Sequence, residues 1–191
     1  CLFFRAYGST EMMTTTLGIL SKDDAKLGAE TDGIIRPPIQ VKLVDDDGIE
    51  ILEEGVEGEI LVFGPEQFSG YLNTDDNTDA FDEDGYFRMG DLGCRVNENY
   101  LVITGRKKDI IIRSGENISP KEVEDVLMQH PAIAETAIVA MPSATTGEMC
   151  CAFVILQAEA EFDVAEMRRF LDGSGLAKQK YPEWLEIVDD L

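Results

Sequence analysis

Histidine is nearly missing from this chain: among 191 residues, His130 is the only one. A Ser/His/Asp triad or a His-rich metal site has almost nothing to work with, so two classes of hydrolase drop out. Positive charge is scarce as well, with 16 Lys plus Arg against 38 Asp plus Glu and a formal net charge of −22. Such a field repels phosphate backbones and anionic lipid surfaces, which excludes nucleic acid as a partner. Long apolar runs are lacking too. The longest, at 137–141 and 151–156, fall far short of the roughly 20 residues that cross a bilayer, so no transmembrane segment is expected. Cysteine is sparse and unpatterned: Cys1, Cys94, Cys150 and Cys151 show no CxxC or Cys/His spacing, which reads as reduced thiols in a cytoplasmic protein. The chain opens at Cys1 with no initiator Met or signal sequence and reads as a fragment of something longer.

What is present is an ordinary folded composition, 44% hydrophobic and 28% charged, at a length that suits one domain or two small ones. The charge is uneven. Residues 30–99 hold nineteen acids and four bases, whereas residues 105–121 hold five bases and two acids, so an anionic ligand should prefer the second stretch. The opening run Cys1 to Phe4 reads as a buried strand that ends in a functional loop. From 37 to 104, short apolar runs alternate with turn residues such as Asp46-Asp47-Gly48, Asp84-Gly85 and Asn97-Glu98-Asn99, the pattern of a small antiparallel β-sheet or barrel. After Gly105 the texture becomes helical and stranded by turns. Ile110 to Ile112 forms a short strand. Ser119-Pro120-Lys121-Glu122 then reads as a capping box, opening a helix with Val123, Val126 and Leu127 on its buried stripe and stopped by Pro131. Strands near 135–141 and 150–157, a helix from Asp163 to Leu171 and a last strand from Trp184 to Val188 complete a β-α-β-β-α-β order. The fold class is α+β in more than one domain: residues 1–104 end a larger domain, 105–109 form a hinge, and 110–191 form a compact second domain.

Four segments carry possible chemistry. Tyr7-Gly8-Ser9-Thr10-Glu11 joins a stacking face, a flexible Gly, two hydroxyls and a carboxylate, as a nucleotide and Mg²⁺ would need; it also reads as an ordinary turn. Asp91, flanked by Gly90 and Gly93, offers two acceptors for a ribose, or is a surface turn residue. Gly105-Arg106-Lys107-Lys108-Asp109 is either a phosphate-binding interdomain joint or a solvated linker. Arg113-Ser114-Gly115-Glu116-Asn117 makes a Gly turn before a helix N-terminus that could receive an anion, or a plain turn. Met12 and Met13 line an apolar pocket or fill the core, and His130 takes no role beyond capping or packing.

In this order, and together with Gly58-Glu59-Ile60, Gly70-Tyr71-Leu72 and the whole string Gly105 to Pro120, these segments resemble the adenylate-forming superfamily of acyl-CoA synthetases, peptide-synthetase adenylation domains and luciferases. The resemblance runs from about Leu2 to Leu191. It implies a two-step ligase in which a carboxylate attacks ATP to give an acyl-adenylate and a thiol then displaces AMP. By that likeness Tyr7, with Gly8 beside it, packs on adenine, Thr10 touches phosphate, Glu11 binds Mg²⁺, and Asp91 holds the ribose. Arg106 contacts the ribose or phosphate region, Lys108 is the hinge, and Ser114, Gly115, Glu116 and Asn117 form the loop that reaches the thiol channel. The family's phosphate loop would lie upstream of Cys1 and its catalytic lysine beyond Leu191, so the fragment by itself is expected to be inactive. Gly105 to Pro120 and Cys150-Cys151-Ala152-Phe153 look most like bacterial medium- or short-chain fatty acid and alicyclic acid CoA ligases. The implied partners are a small fatty, alicyclic or aromatic carboxylic acid and coenzyme A; a homo-oligomer is a further expectation. A carrier-protein adenylation domain and a catalytically dead nucleotide-binding homologue are the rival readings.

Overall fold

A computed structural model describes residues 3–19 and 21–191, which divide into two compact units, Cys1–Lys107 and Lys108–Leu191. The first unit carries a short helix, α1 (Ala25–Glu30), and four strands: β1 (Gln40–Val44), β2 (Glu57–Phe63), β3 (Phe87–Val96) and β4 (Tyr100–Arg106). They pair antiparallel in the order β1-β2-β3-β4, an open meander rather than a closed barrel. Central β2 is buried without alternation from Gly58 to Val62, because both of its faces are covered. Leu43, Ile60, Val62, Phe87, Leu101 and Met12 make the core. Met12 is thus a packing residue, while Met13 is exposed.

Two expectations fail in this unit. Cys1 and Leu2 lie outside the described residues, but Phe3 and Phe4 are exposed and belong to no strand. Within this unit no sheet lies beside them; Phe4 rests on Gly18, where a Cβ would clash with its ring. Asp91 is not in a surface turn but inside a strand. Strand β3 continues through it because Gly90 takes φ +71°, a left-handed conformation that costs Gly nothing, and absorbs a bulge there.

The second unit contains β5 (Ile111–Arg113), β6 (Glu116–Ile118), α2 (Pro120–Leu127), β7 (Ile133–Ser143), β8 (Gly147–Leu156), α3 (Val164–Asp172) and β9 (Trp184–Ile187). The sheet order is β6-β5-β8-β7, with β9 parallel to β8. The order is therefore β-β-α-β-β-α-β. Strand β6 is the addition, made possible because Ser114 (φ 51°) and Gly115 (φ 86°) close a two-residue hairpin that demands positive φ at both positions. Val123 and Leu127 of α2 and Met167 and Leu171 of α3 are fully buried with Ile111, Ile118, Cys150, Ala152 and Val154. Asp163 caps α3 by accepting from the Glu166 N–H at 2.7 Å. Ser119 holds the N-cap position of α2 without a side-chain capping bond, and Glu122 Oε2 accepts from Lys180 Nζ at 2.6 Å. His130 packs against the rings of Phe162 and Phe170 and accepts from the Ala132 N–H at Nδ1. Among the described residues no helix is long and apolar enough to cross a membrane.

Candidate functional site

The site in the first unit is built on an irregular segment made rigid by its own hydrogen bonds. The Tyr7 N–H donates to Thr16 Oγ1 at 2.8 Å, and the Tyr7 carbonyl accepts from the Thr15 and Thr16 N–H groups at 3.0 Å each. Thr16 in turn donates its hydroxyl to the Asp32 carbonyl. At Gly8 the chain passes so close to the returning loop that a Cβ would lie 2.2 Å from the Met13 carbonyl oxygen. Ser9 then folds the turn: its Oγ accepts from the Glu11 and Met12 N–H groups at 3.2 Å. This leaves Thr10 exposed at the tip and Glu11 half-exposed beside it.

Glu11 is braced from the segment after β2. The Phe68 N–H donates to the Glu11 carbonyl at 2.8 Å and the Tyr71 hydroxyl to Glu11 Oε1 at 3.0 Å. Burial alone would raise the Glu11 carboxyl, but its own backbone N–H, the Tyr71 and Ser9 hydroxyls and the nearby Arg106 charge together outweigh that and hold it below 4.5.

Asp91 is the second anchor. It lies directly across from Arg106 in the β3–β4 ladder, so Arg106 Nε reaches Asp91 Oδ1 at 2.9 Å. The Tyr7 hydroxyl donates to the other oxygen, Oδ2, at 2.5 Å. Burial first, then the bond to Asp91 and its negative charge, push the Tyr7 phenol well above its ordinary value, so Tyr7 is a fixed donor. The ring of Tyr7, with Gly8, Ser9, Thr10, Met13 and Thr14, also lines an open cavity of about 900 Å³. Tyr7 therefore joins the cavity to the Asp91–Arg106 pair.

The remaining candidates belong to the second unit. Lys108 is its first residue and sits in a single 3-10 turn, Lys107–Asp109. Ser114 and Gly115 form the tip of the β5–β6 hairpin, and Glu116 and Asn117 lie exposed on β6, opposite Arg113 and Ile112. Since β6 intervenes, the turn does not open directly onto the N-terminus of α2 as the sequence reading had it. Two groups around the first site carried no role of their own in that reading: Tyr71, and buried Glu59 with its partner Arg88. Only the Gly70-Tyr71-Leu72 and Gly58-Glu59-Ile60 strings pointed toward them.

Comparison with known proteins matches residues 1–72 to the AMP-binding enzyme model and residues 122–191 to the model of the AMP-binding enzyme C-terminal domain. The chain belongs to the AMP-binding enzyme family. It is 42% identical, over 97% of its length, to 33% of a medium-chain fatty-acid–CoA ligase of Escherichia coli (strain K12). A vibriobactin-specific 2,3-dihydroxybenzoate-AMP ligase of Vibrio cholerae is 37% identical over 88% of this chain and 31% of its own. Among solved structures, ATP-bound MatB from Rhodopseudomonas palustris superposes with a TM-score of 0.89 at 35% identity, covering 97% of this chain and 36% of that one. This AMP-binding enzyme chain thus spans about a third of the length of the relatives it matches.

Proposed function

We propose that the protein containing this chain is an ATP-dependent ligase that joins a small carboxylic acid to coenzyme A through an acyl-adenylate. The observation that supports this most is the Asp91 carboxylate, fixed by one donor on each oxygen, one of them Tyr7, which also lines a cavity of nucleotide scale. Each carboxylate oxygen has two acceptor sites, so Asp91 retains one per oxygen for the two vicinal hydroxyls of a ribose, while the Tyr7 ring offers a stacking face and Gly8 and Thr10 line the same wall. In the first step the acid's oxygen attacks the α-phosphorus of ATP, a phosphorus–oxygen bond breaks and pyrophosphate leaves. In the second, the thiolate of coenzyme A attacks the acyl carbon and AMP leaves.

Arg106, beside the ribose carboxylate, is assigned to the ribose or phosphate region. The residues fit Mg²⁺: Glu11, its carboxyl held low by its backbone N–H and the Tyr71 and Ser9 hydroxyls, suits an ion that takes one or two carboxylates plus phosphate oxygens. Bound there, the ion would neutralise phosphate charge. Lys108 is assigned as the hinge between half-reactions, and Ser114 to Asn117 as the loop that meets the thiol. The acid is assigned to the fatty, alicyclic or aromatic class. A second reading, transfer to a carrier protein, is favoured by the likeness to a salicyl-AMP ligase / salicyl-S-ArCP synthetase of Mycobacterium tuberculosis.

Pyrophosphate release by the whole protein, with ATP, Mg²⁺ and a panel of short, medium, aromatic and alicyclic acids, tests both. Acid-dependent release with thioester formation on coenzyme A is expected. Release without a thioester selects the carrier-protein reading, and none with any acid selects a non-catalytic nucleotide-binding homologue.

A further inference from the structure

We infer that Glu59 is a positioning residue for the Asp91–Arg106 pair, an assignment that rests on the nucleotide role just proposed for that pair. Glu59 is a carboxylate only 7% exposed, and its Oε2 accepts from both Arg88 Nη1 at 3.0 Å and Lys107 Nζ at 2.9 Å. Lys107 also lies 3.9 Å from Asp46. Stability alone does not account for two partly exposed cations on one buried carboxylate oxygen, since their attraction roughly offsets the desolvation of Glu59. The register of the sheet supplies another reason.

Glu59 faces Leu92 and Leu61 faces Arg88, so the single residue Ile60 stands against Met89, Gly90 and Asp91. The β2–β3 ladder is therefore broken at the residue that must hold the ribose. On the other side the β3–β4 register slips between Leu92 and Gly93. Asp91 itself thus has no ladder partner on β2 and pairs only with Arg106 on β4, regular pairing on both sides resuming at Leu92. Glu59 bridges the break. Its carboxylate grips Arg88, three residues before Asp91, and Lys107, the residue after Arg106. One buried charge fixes both flanks of the pair, and pairs placed so are what a bulge beside a site requires for a constant aim.

The test compares Glu59→Gln, nearly isosteric but uncharged, with Val62→Ala, which removes buried volume from the same strand without touching the bridge. In the whole protein, Glu59→Gln is expected to raise the KM for ATP about tenfold, in the range of lost supporting contacts, with the KM for the acid within about twofold of wild type. Val62→Ala should lower the melting temperature and move neither KM. An ATP KM for Glu59→Gln within about twofold of wild type, or a rise of equal size in Val62→Ala, overturns the assignment. If Glu59→Gln does not fold, Lys107→Met replaces it: a rise of about threefold in the ATP KM is expected and an unchanged value overturns. A wild-type protein without acid-dependent exchange overturns the ligase reading and this assignment with it; an active wild type with an unmoved Glu59→Gln overturns only the latter.

Discussion

Asp91 accepts from a phenol on one oxygen and a guanidinium on the other, so its direction is set by chemistry from two separate segments. Replacing it with Ala removes charge-assisted bonds worth about 1.5–3 kcal/mol, and the KM for ATP should rise about 10- to 150-fold with little change in melting temperature. Steady-state kinetics at fixed acid and coenzyme A checks this; an unmoved ATP KM removes Asp91 from the site. Glu11 gives a prediction in pH. Its carboxyl is held below the ordinary 4.5, so the ionised form is favoured in the folded protein above that value and the advantage fades as pH falls through the lower, folded one. Tyr71→Phe deletes one of the bonds that hold it down, and the acid limb of exchange activity should move up by less than about one pH unit. A limb that stays in place shows that Tyr71 does not tune Glu11. At this scale the candidates were legible as residue types, whereas their company was not. Asp91 and Arg106 are fifteen residues apart, and only the register around a bulge makes them opposite. Ser9 bends the loop through its own hydroxyl, and Tyr71 reaches Glu11 from sixty residues away. No periodicity in the sequence encodes either.

Strands and helices follow local pattern where the pattern is strong. Helices α2 and α3, and the strands β7, β8 and β9, lie within a few residues of where apolar spacing puts them, and each helix buries one regular stripe, Val123 with Leu127 and Met167 with Leu171. The failures have local causes. The Gly90 bulge let β3 run ten residues through an apparent turn, and the Ser114-Gly115 turn added β6. Two predictions belong to single elements. In β8, burial first and then the charge of Glu183 push the Cys150 thiol up to about 11. A raised thiol value stabilises the fold below the ordinary 9.0 and is lost as pH rises toward 11. Cys150 should therefore resist iodoacetamide at about pH 8 in the native protein and react only on unfolding, as mass spectrometry would read. Labelling at the rate of an exposed thiol would contradict the buried strand. In the 3-10 turn Lys107–Asp109, Lys108→Pro fixes φ where rotation is proposed. One half-reaction should slow at least about tenfold more than the other, and equal slowing would argue against a hinge.

On the scale of the whole molecule, each unit has a core of its own, one around Ile60 and Leu101, the other around Leu127 and Met167. Residues 108–191 expressed alone should unfold in a single cooperative transition. Leu127→Ala, which empties a fully buried site in α2, should lower that stability by about 2–5 kcal/mol in a denaturant titration. A non-cooperative melt of the isolated segment would show that its core is not self-sufficient. Two textures are legible in the sequence, since short apolar runs broken by turn residues give way after Gly105 to longer amphipathic runs. It said nothing of strand order, because order is decided by which edges meet. The β5–β6 hairpin carries one more consequence. Its tip, Ser114-Gly115, is a two-residue turn anchored by the Ser114 N–H on the Thr146 carbonyl and the Ile112 N–H on Glu148. Ordering a slack loop on contact with a ligand would cost about 1–2 kcal/mol of backbone entropy per residue. Here that entropy is surrendered when the chain folds, so whatever meets Ser114 to Asn117 meets a stiff fingertip, and the strength of its grip is spent on contact rather than on quieting motion.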